Sequence, residues 1–230
     1  LLDRLLWDLS PVGWRLSSLT MHVAVVASLF IFLEKLLRLI GANRETASRA
    51  AFVGALVFAW HPVNSEAVHV AAFRPDILST LFLVAALLCT CNVSGTSRNH
   101  RLTIVCIPVF LLLGMGSKES AVVIPAMIAV LWFLFPDLRP QRPLRVLLLG
   151  VLVILVAGYI FLCLGPPPHG RPHASIQAVD ARFCPFALTP PANFFTAPWL
   201  FARYLRLLIL PYPLAIDHVV SPVTGYRDLR

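Results

Sequence analysis

Charge is what this sequence has least of. Only 13% of its 230 residues are Asp, Glu, Lys or Arg, about half the share of an ordinary soluble domain. With a mean hydropathy of +0.80, that scarcity excludes a water-soluble globular domain and points to a bilayer. Lysine is scarcer still, since Arg outnumbers it 17 to 2 among the basic residues. Cysteine is sparse too: Cys89, Cys91, Cys106 and Cys163 fall in or at the ends of apolar runs, where a thiol behaves as a small hydrophobe, and Cys184 alone falls in a polar stretch. No spacing among the five suggests a disulfide or zinc framework.

The uncharged stretches are long. Residues 16–33, 77–97, 102–117, 120–136 and 146–170 each lack Asp, Glu, Lys and Arg, and a helix needs about 20 mostly apolar residues to cross the hydrocarbon core. A sixth run, from Ala50 to Trp60, reaches span length if His61 and Pro62 lie at the membrane surface. The expected fold class is therefore all-α, a polytopic helical membrane protein with about six spans. A seventh stretch, Ala192 to Leu210, holds Pro198, Arg203 and Arg206. Two cations in its middle favour an interfacial or re-entrant helix.

The net charge of +8 does not imply nucleic acid, because the basic residues sit in short loops with no aromatic-basic platform. They read as topology signals. Lys35, Arg38, Arg44 and Arg49 mark one cytoplasmic loop, Arg98 and Arg101 a second, and Arg139, Arg142 and Arg145 a third. The segments 61–76, 115–119 and 165–195 then share the outer side. The sequon at Asn92 falls in a cytoplasmic loop, so no glycan is expected there. Leu1 is not an initiator residue, and the chain reads as a piece of something longer.

Against this apolar background stands "HPVNSEAVHVAAFRPD", residues 61–76. Glu66 and His69 are three residues apart and would share a helical face. Arg74-Pro75-Asp76 opens the next span, with Pro in the first turn and Asp76 near the positive end of the helix dipole. Each residue alone has a plain structural reading, Asp76 as a cap and the histidines as solvated loop residues. Together they put carboxylate, imidazole and guanidinium beside lipid, which favours a charged or lipid-linked ligand. A second outer turn, "GMGSKESAVVIP" at 114–125, carries Lys118 and Glu119. It is either a hairpin with an internal ion pair or a phosphate site, for which an ammonium is well suited. The third outer stretch, 165–195, is proline-rich and holds His169, Arg171, His173, Asp180 and Arg182, as a lid or a plain surface loop.

The stretch "FAWHPVNSEAVHVAAFRPDILSTLFLVAALL" resembles the His-Pro-x-x-x-Glu-Ala-Val … Arg-x-Asp-x-Leu signature of the transmembrane and tetratricopeptide-repeat (TMTC-like) O-mannosyltransferases and their bacterial relatives, within the C-type membrane glycosyltransferases. "LLLGMGSKESAVVIPAMI", "YLRLLILPYPLAIDHVV" and "LDRLLWDLSPVGWRLSSLTMH" resemble three further elements of that family in the same order. The resemblance implies that residues 1–230 are part of one membrane-embedded glycosyltransferase domain. Its expected activity is transfer of a mannose-like sugar from a polyprenyl-phosphate donor in the bilayer to a hydroxyl of a protein or glycan acceptor, on the non-cytoplasmic face. Carried over, Asp76 and Glu66 match acidic, catalytic positions, and His61, Arg74, Lys118 and Glu119 match substrate-binding ones. Asp217 matches a late Asp, but His218 stands where the family has Tyr or Trp. The family's first span and first outer loop, which holds its principal carboxylate, have no counterpart here, so this chain alone is expected to be inactive; Asp3 and Asp8 read as structural. The tetratricopeptide repeats of the family would follow these 230 residues, and the resemblance leaves open whether they do.

A divalent cation such as Mn2+ or Mg2+ would suit carboxylate and phosphate oxygens, and metal dependence is left open. Two rivals remain: a transporter or flippase for lipid-linked sugars, and a non-catalytic membrane scaffold. The arginine bias favours a bacterial plasma membrane over an endoplasmic reticulum.

Overall fold

The structure is a computed structural model and describes residues 7–8, 10–91, 97–164 and 190–211. Among them every regular element is helical. The chain divides into two compact units, Leu1–Cys163 and Leu164–Arg230.

In the first unit, α1 spans Pro11–Leu39. Ser10 caps it by accepting from the Gly13 N–H at 3.5 Å, and Pro11 supplies the fixed φ of a first helical residue. The helix ends at Gly41, whose φ of 91° lies in the left-handed region open to glycine. The Gly41 N–H reaches the Arg38 carbonyl and the Ala42 N–H the Leu37 carbonyl, the paired bonds of a Schellman ending. Asn43 then starts α2, Arg44–Trp60, by accepting from the Thr46 N–H at 2.8 Å.

α1 and α2 run antiparallel. His22 stacks on Phe58 near one end, and Leu33 lies against Gly54 towards the other. Small residues make the approach close: Ala47, Ala51 and Ala55, one turn apart, are all buried. Phe52, Val53 and Trp60 of the same helix are exposed, as side chains facing lipid would be.

His61-Pro62 stops α2, because a residue before proline is driven out of the helical region; His61 has φ −65° and ψ 125°. One short helix, α3 (Asn64–His69), and a 3-10 turn, Ala71–Phe73, lead into α4, Arg74–Cys91. After it comes α5, Ser97–Ser117, with Pro108 inside. α4 and α5 are antiparallel along their length: the Thr103 hydroxyl donates to the Cys89 carbonyl at 3.2 Å at one end, the Phe82 and Phe110 rings stack at 6.3 Å in the middle, and Asp76 meets Lys118 at the other end.

The next span differs from the expected continuous helix over 120–136. Lys118 is extended, a 3-10 turn covers Glu119–Val123, and α6 occupies only Ile124–Leu134. Pro125, with no N–H to give, suits the first turn of α6 and no interior position. A second 3-10 turn, Pro136–Leu138, precedes α7, Arg142–Leu164. The core combines Leu87, Ile107, Leu111, Ile124, Ile128, Trp132, Leu148 and Leu152.

Among the described residues three helices are long and apolar enough to cross a membrane, at Pro11–Leu39, Arg74–Cys91 and Arg142–Leu162, and Val105–Ser117 and Glu119–Leu134 are shorter apolar helices. The protein is thus a membrane protein, all-helical over its described residues. The second unit contributes α8, Pro190–Ile209, with Pro198 inside it and the Arg203 guanidinium 5.4 Å from the centre of the Trp199 ring. Residues 165–189 of the outer stretch expected at 165–195 and the late segment with Asp217 and His218 lie outside the described residues, as do Asp3 and the sequon at Asn92; residues 190–195 begin α8.

Candidate functional site

One end of the first unit gathers the start of α1, the end of α2, α3, the start of α4, the end of α5 and the 3-10 turn after it. Antiparallel pairing brings them together, and the site residues expected from sequence map to this end: His61, Lys118 and Glu119 in the segments that join helices, Glu66 on α3, and Asp76 in the first turn of α4. Arg74 starts α4 at the same end.

His61 is half-buried, and its Nδ1 accepts from the Val63 N–H at 3.3 Å. The turn around it is tied to α2: the Asn64 side-chain amide donates to the Phe58 carbonyl at 2.5 Å, and the Ser65 hydroxyl donates to the Pro62 carbonyl at 2.6 Å. Glu66 and His69 both lie on α3, Glu66 half-buried in its first turn and His69 exposed at its end. Neither Glu66 nor the exposed Glu119 forms an ion pair among the described residues.

Asp76 sits in the first turn of α4, where exposed N–H groups favour a carboxylate. Its Oδ1 accepts from Lys118 Nζ in a charge-assisted bond. Lys118 therefore does not pair with its neighbour Glu119 in a local hairpin, the plain reading of that turn; it reaches back to the preceding span. Both side chains keep about a third of their surface exposed, 33% for Lys118 and 37% for Asp76. Water screens such a pair, so it contributes about 0–1 kcal/mol and acts mainly to orient the two groups.

Arg74, only two residues earlier, goes elsewhere. Its side chain is buried at 7% exposure. Nε donates to the Ser18 hydroxyl at 2.8 Å, Nη2 donates to the Trp14 carbonyl, and the guanidinium lies 5.0 Å from the centre of the Trp14 ring. Trp14 is held in turn by its indole N–H, which donates to the Asp8 carbonyl at 2.9 Å. Below Ser18 on the same face, His22 is buried, with Nε2 3.4 Å from the Ala59 carbonyl.

Trp14, Ser18 and His22 did not figure among the expected site residues. Their signal was a spacing of four, which puts an aromatic, a hydroxyl and an imidazole on one stripe of an otherwise apolar helix. Nothing in the local sequence says that an Arg 56 residues beyond Ser18 lands on that stripe.

Chemically, this end offers a carboxylate and an ammonium held against each other at the edge of an apolar bundle, with a second carboxylate and an imidazole close by in the chain. Such a set can bind an anionic group through Lys118 and polarise or orient a hydroxyl through Asp76. No group of three or more His, Cys, Asp or Glu that could hold a metal ion occurs among the described residues.

No family model matches the sequence, and no solved structure matches it. Curated proteins do. The whole chain aligns with protein O-mannosyl-transferase tmtc2 of Xenopus laevis, 26% identical over 252 aligned residues, covering 28% of that protein. Protein O-mannosyl-transferase Tmtc3 of Drosophila melanogaster is 34% identical over 155 residues, 59% of this chain and 17% of the fly protein. Protein O-mannosyl-transferase F38B6.6 of Caenorhabditis elegans is 27% identical over 186 residues, 78% of this chain and 24% of the worm protein. The chain's curated homologues are TMTC-family O-mannosyl-transferases. It spans about a quarter of the length of these TMTC relatives or less, and its resemblance to them agrees with the signature at residues 58–88.

Proposed function

We propose that residues 1–230 form part of one membrane-embedded C-type glycosyltransferase domain that moves a mannose-like sugar from a polyprenyl-phosphate donor to a hydroxyl of a protein acceptor on the non-cytoplasmic face. The observation that carries this reading is the Asp76–Lys118 pair at one end of the bundle, in a chain whose relatives are named as protein O-mannosyl-transferases. A transporter would need ionisable groups along a path through the bilayer; Asp76, Lys118, Glu66 and Arg74 gather at one end.

In the transfer, the acceptor oxygen attacks the anomeric carbon, the bond from that carbon to the phosphate oxygen breaks, and the phosphate leaves with the electron pair. Lys118 stands where an ammonium would offset the charge building on the leaving phosphate. Asp76 orients the acceptor hydroxyl or the donor against Lys118, and Glu66 on α3 and His61 at the end of α2 line the approach. The base that takes the acceptor proton is the carboxylate of a first outer loop in the full-length protein.

The topology that goes with this reading has six spans, with α8 in the interface. Arg38, Arg44 and Arg49, exposed around the turn between α1 and α2, lie on the cytoplasmic side, opposite the site. The site then faces the exterior of a bacterial plasma membrane, which the arginine bias favours, or the lumen of an endoplasmic reticulum, as the animal origin of the matched relatives favours.

The test is transfer from polyprenyl-phosphate mannose to a Ser/Thr peptide by the full-length protein in proteoliposomes, wild type against Asp76→Asn. Transfer by wild type and its loss in the variant are expected. Equal turnover by both would remove Asp76 from the site, and no transfer by wild type would remove the function.

A further inference from the structure

The Arg74 side chain occupies a costly place. It begins α4, where the positive end of the helix dipole disfavours a cation, and it is 7% exposed at the edge of an apolar bundle. A residue there solely to cap or solubilise a helix would be acidic or exposed. A set of groups on α1 offsets part of that cost. The Ser18 hydroxyl works in both directions, accepting from Arg74 Nε at 2.8 Å and donating to the Trp14 carbonyl at 3.4 Å, and that same carbonyl accepts from Arg74 Nη2. The Trp14 ring lies against the guanidinium, and the attraction between a cation and an aromatic face grows when both are withdrawn from water. The clamp is rigid on its α1 side: Ser18 is 1% exposed, and Trp14 is pinned by the Asp8 carbonyl.

Rigidity at Arg74 is passed to Asp76 with little slack. Pro75 fixes one backbone torsion between them, and the three residues share the first turn of α4. The guanidinium is anchored to α1 on one side, and the Asp76 carboxylate meets Lys118 from α5 on the other. We infer that Trp14 and Ser18 are positioning residues: by clamping Arg74 they fix the first turn of α4 so that the Asp76 carboxylate is held against the Lys118 ammonium, and Arg74 serves this clamp instead of touching a phosphate. The inference rests on the reading of Asp76 and Lys118 as the site, but its geometry can be tested without any sugar transfer.

Lys118 is one of only two lysines in the sequence, the other being Lys35, which lies near the opposite end of α1. Amine acylation of the full-length protein in detergent, followed at both lysines by peptide mass spectrometry, reads the pair directly, because an ammonium held in a hydrogen bond to a carboxylate is less available to the reagent than one released from it. Asp76→Asn sets the rate of a fully released Lys118. Ser18→Ala and Trp14→Leu are expected to bring Lys118 at least halfway to that rate while Lys35 stays at its wild-type rate. Ser18→Thr, which keeps the hydroxyl, is expected to label like wild type.

Unchanged labelling of Lys118 in Ser18→Ala, Trp14→Leu and the double variant would overturn the inference. So would a parallel rise at Lys35, which would mean that the clamp holds the whole bundle and not the site, and so would a Ser18→Thr protein that labels like Ser18→Ala. If the labelling behaves as expected in a protein that transfers no mannose, the proposed function fails and the clamp stands.

Discussion

Lys118 and Asp76, 42 residues apart in sequence, form an ion pair between the end of α5 and the first turn of α4. Each group also has a local partner of the right charge nearby in the chain, Glu119 beside Lys118 and Arg74 near Asp76. The fold uses neither: Arg74 is taken up by α1, and Glu119 is exposed in a 3-10 turn. The long-range pair therefore survives because nearer alternatives are removed, and it leaves the carboxylate and the ammonium a third exposed at the surface of the bundle.

Exchanging the two charges separates the pair's structural role from its chemical one. In the double variant Asp76→Lys/Lys118→Asp the ion pair can re-form, so thermal stability in detergent should fall by no more than the roughly 1 kcal/mol that a cation at a helix N-terminus costs. Transfer activity should still be lost by orders of magnitude, because the carboxylate and the cation would face the wrong groups at the transition state. A double variant with near-wild-type kcat would show that the pair only staples α4 to α5.

Sidedness gives a second check. Ser65 and Ser117, placed by the fold at the same end of the bundle, should label from the same side of a sealed vesicle when replaced singly by Cys in a cysteine-free background. Arg44→Cys, at the other end, should label from the opposite side. Labelling of Ser65→Cys and Ser117→Cys from different sides would break both the topology and the site.

Much of this arrangement was legible in the sequence, and the legible part is local. Uncharged runs announced the membrane, His61-Pro62 announced the end of α2, and Pro75-Asp76 announced the start of α4, because each depends on residues within a turn of one another. The partner of Lys118 and the destination of Arg74 depend on which helices pack together, and no local pattern encodes that. The 3-10 turn at Glu119–Val123 was hidden for a different reason: residues 120–136 are uncharged throughout, and hydropathy does not distinguish a continuous span from one interrupted near its start.

The packing of α1 on α2 predicts unequal tolerance on the two faces of α2. Ala51 is fully buried, whereas Phe52, next in sequence, is 60% exposed. Ala51→Leu inserts bulk into a close helix contact and should destabilise by about 1–3 kcal/mol, read as a lower midpoint of thermal aggregation for the solubilised protein. Phe52→Leu should leave that midpoint unchanged. A harmless Ala51→Leu would mean that α1 and α2 do not approach as closely as their alanines imply.

The position of Lys118 also depends on an absence of side chain at Gly114. A Cβ added there would lie 2.8 Å from the Cβ of Ala121 and 3.4 Å from Ile124 Cδ1. The first distance is shorter than real Cβ contacts show, and Ala121 is 1% exposed in the 3-10 turn that carries the chain away from Lys118, so the turn itself must move. Two energies oppose each other in Gly114→Ala: the gain in helix propensity, about 1 kcal/mol, and overpacking, about 1–3 kcal/mol. The second should prevail, giving lower thermal stability and, because the turn shifts, faster amine acylation of Lys118. The rescue follows from the geometry: Ala121→Gly removes the colliding methyl group, so the double variant Gly114→Ala/Ala121→Gly should recover the wild-type labelling rate at Lys118. If Gly114→Ala alone is stabilising and leaves Lys118 labelling unchanged, α5 and the turn are not in contact at this point and the placement of Lys118 against Asp76 loses its support.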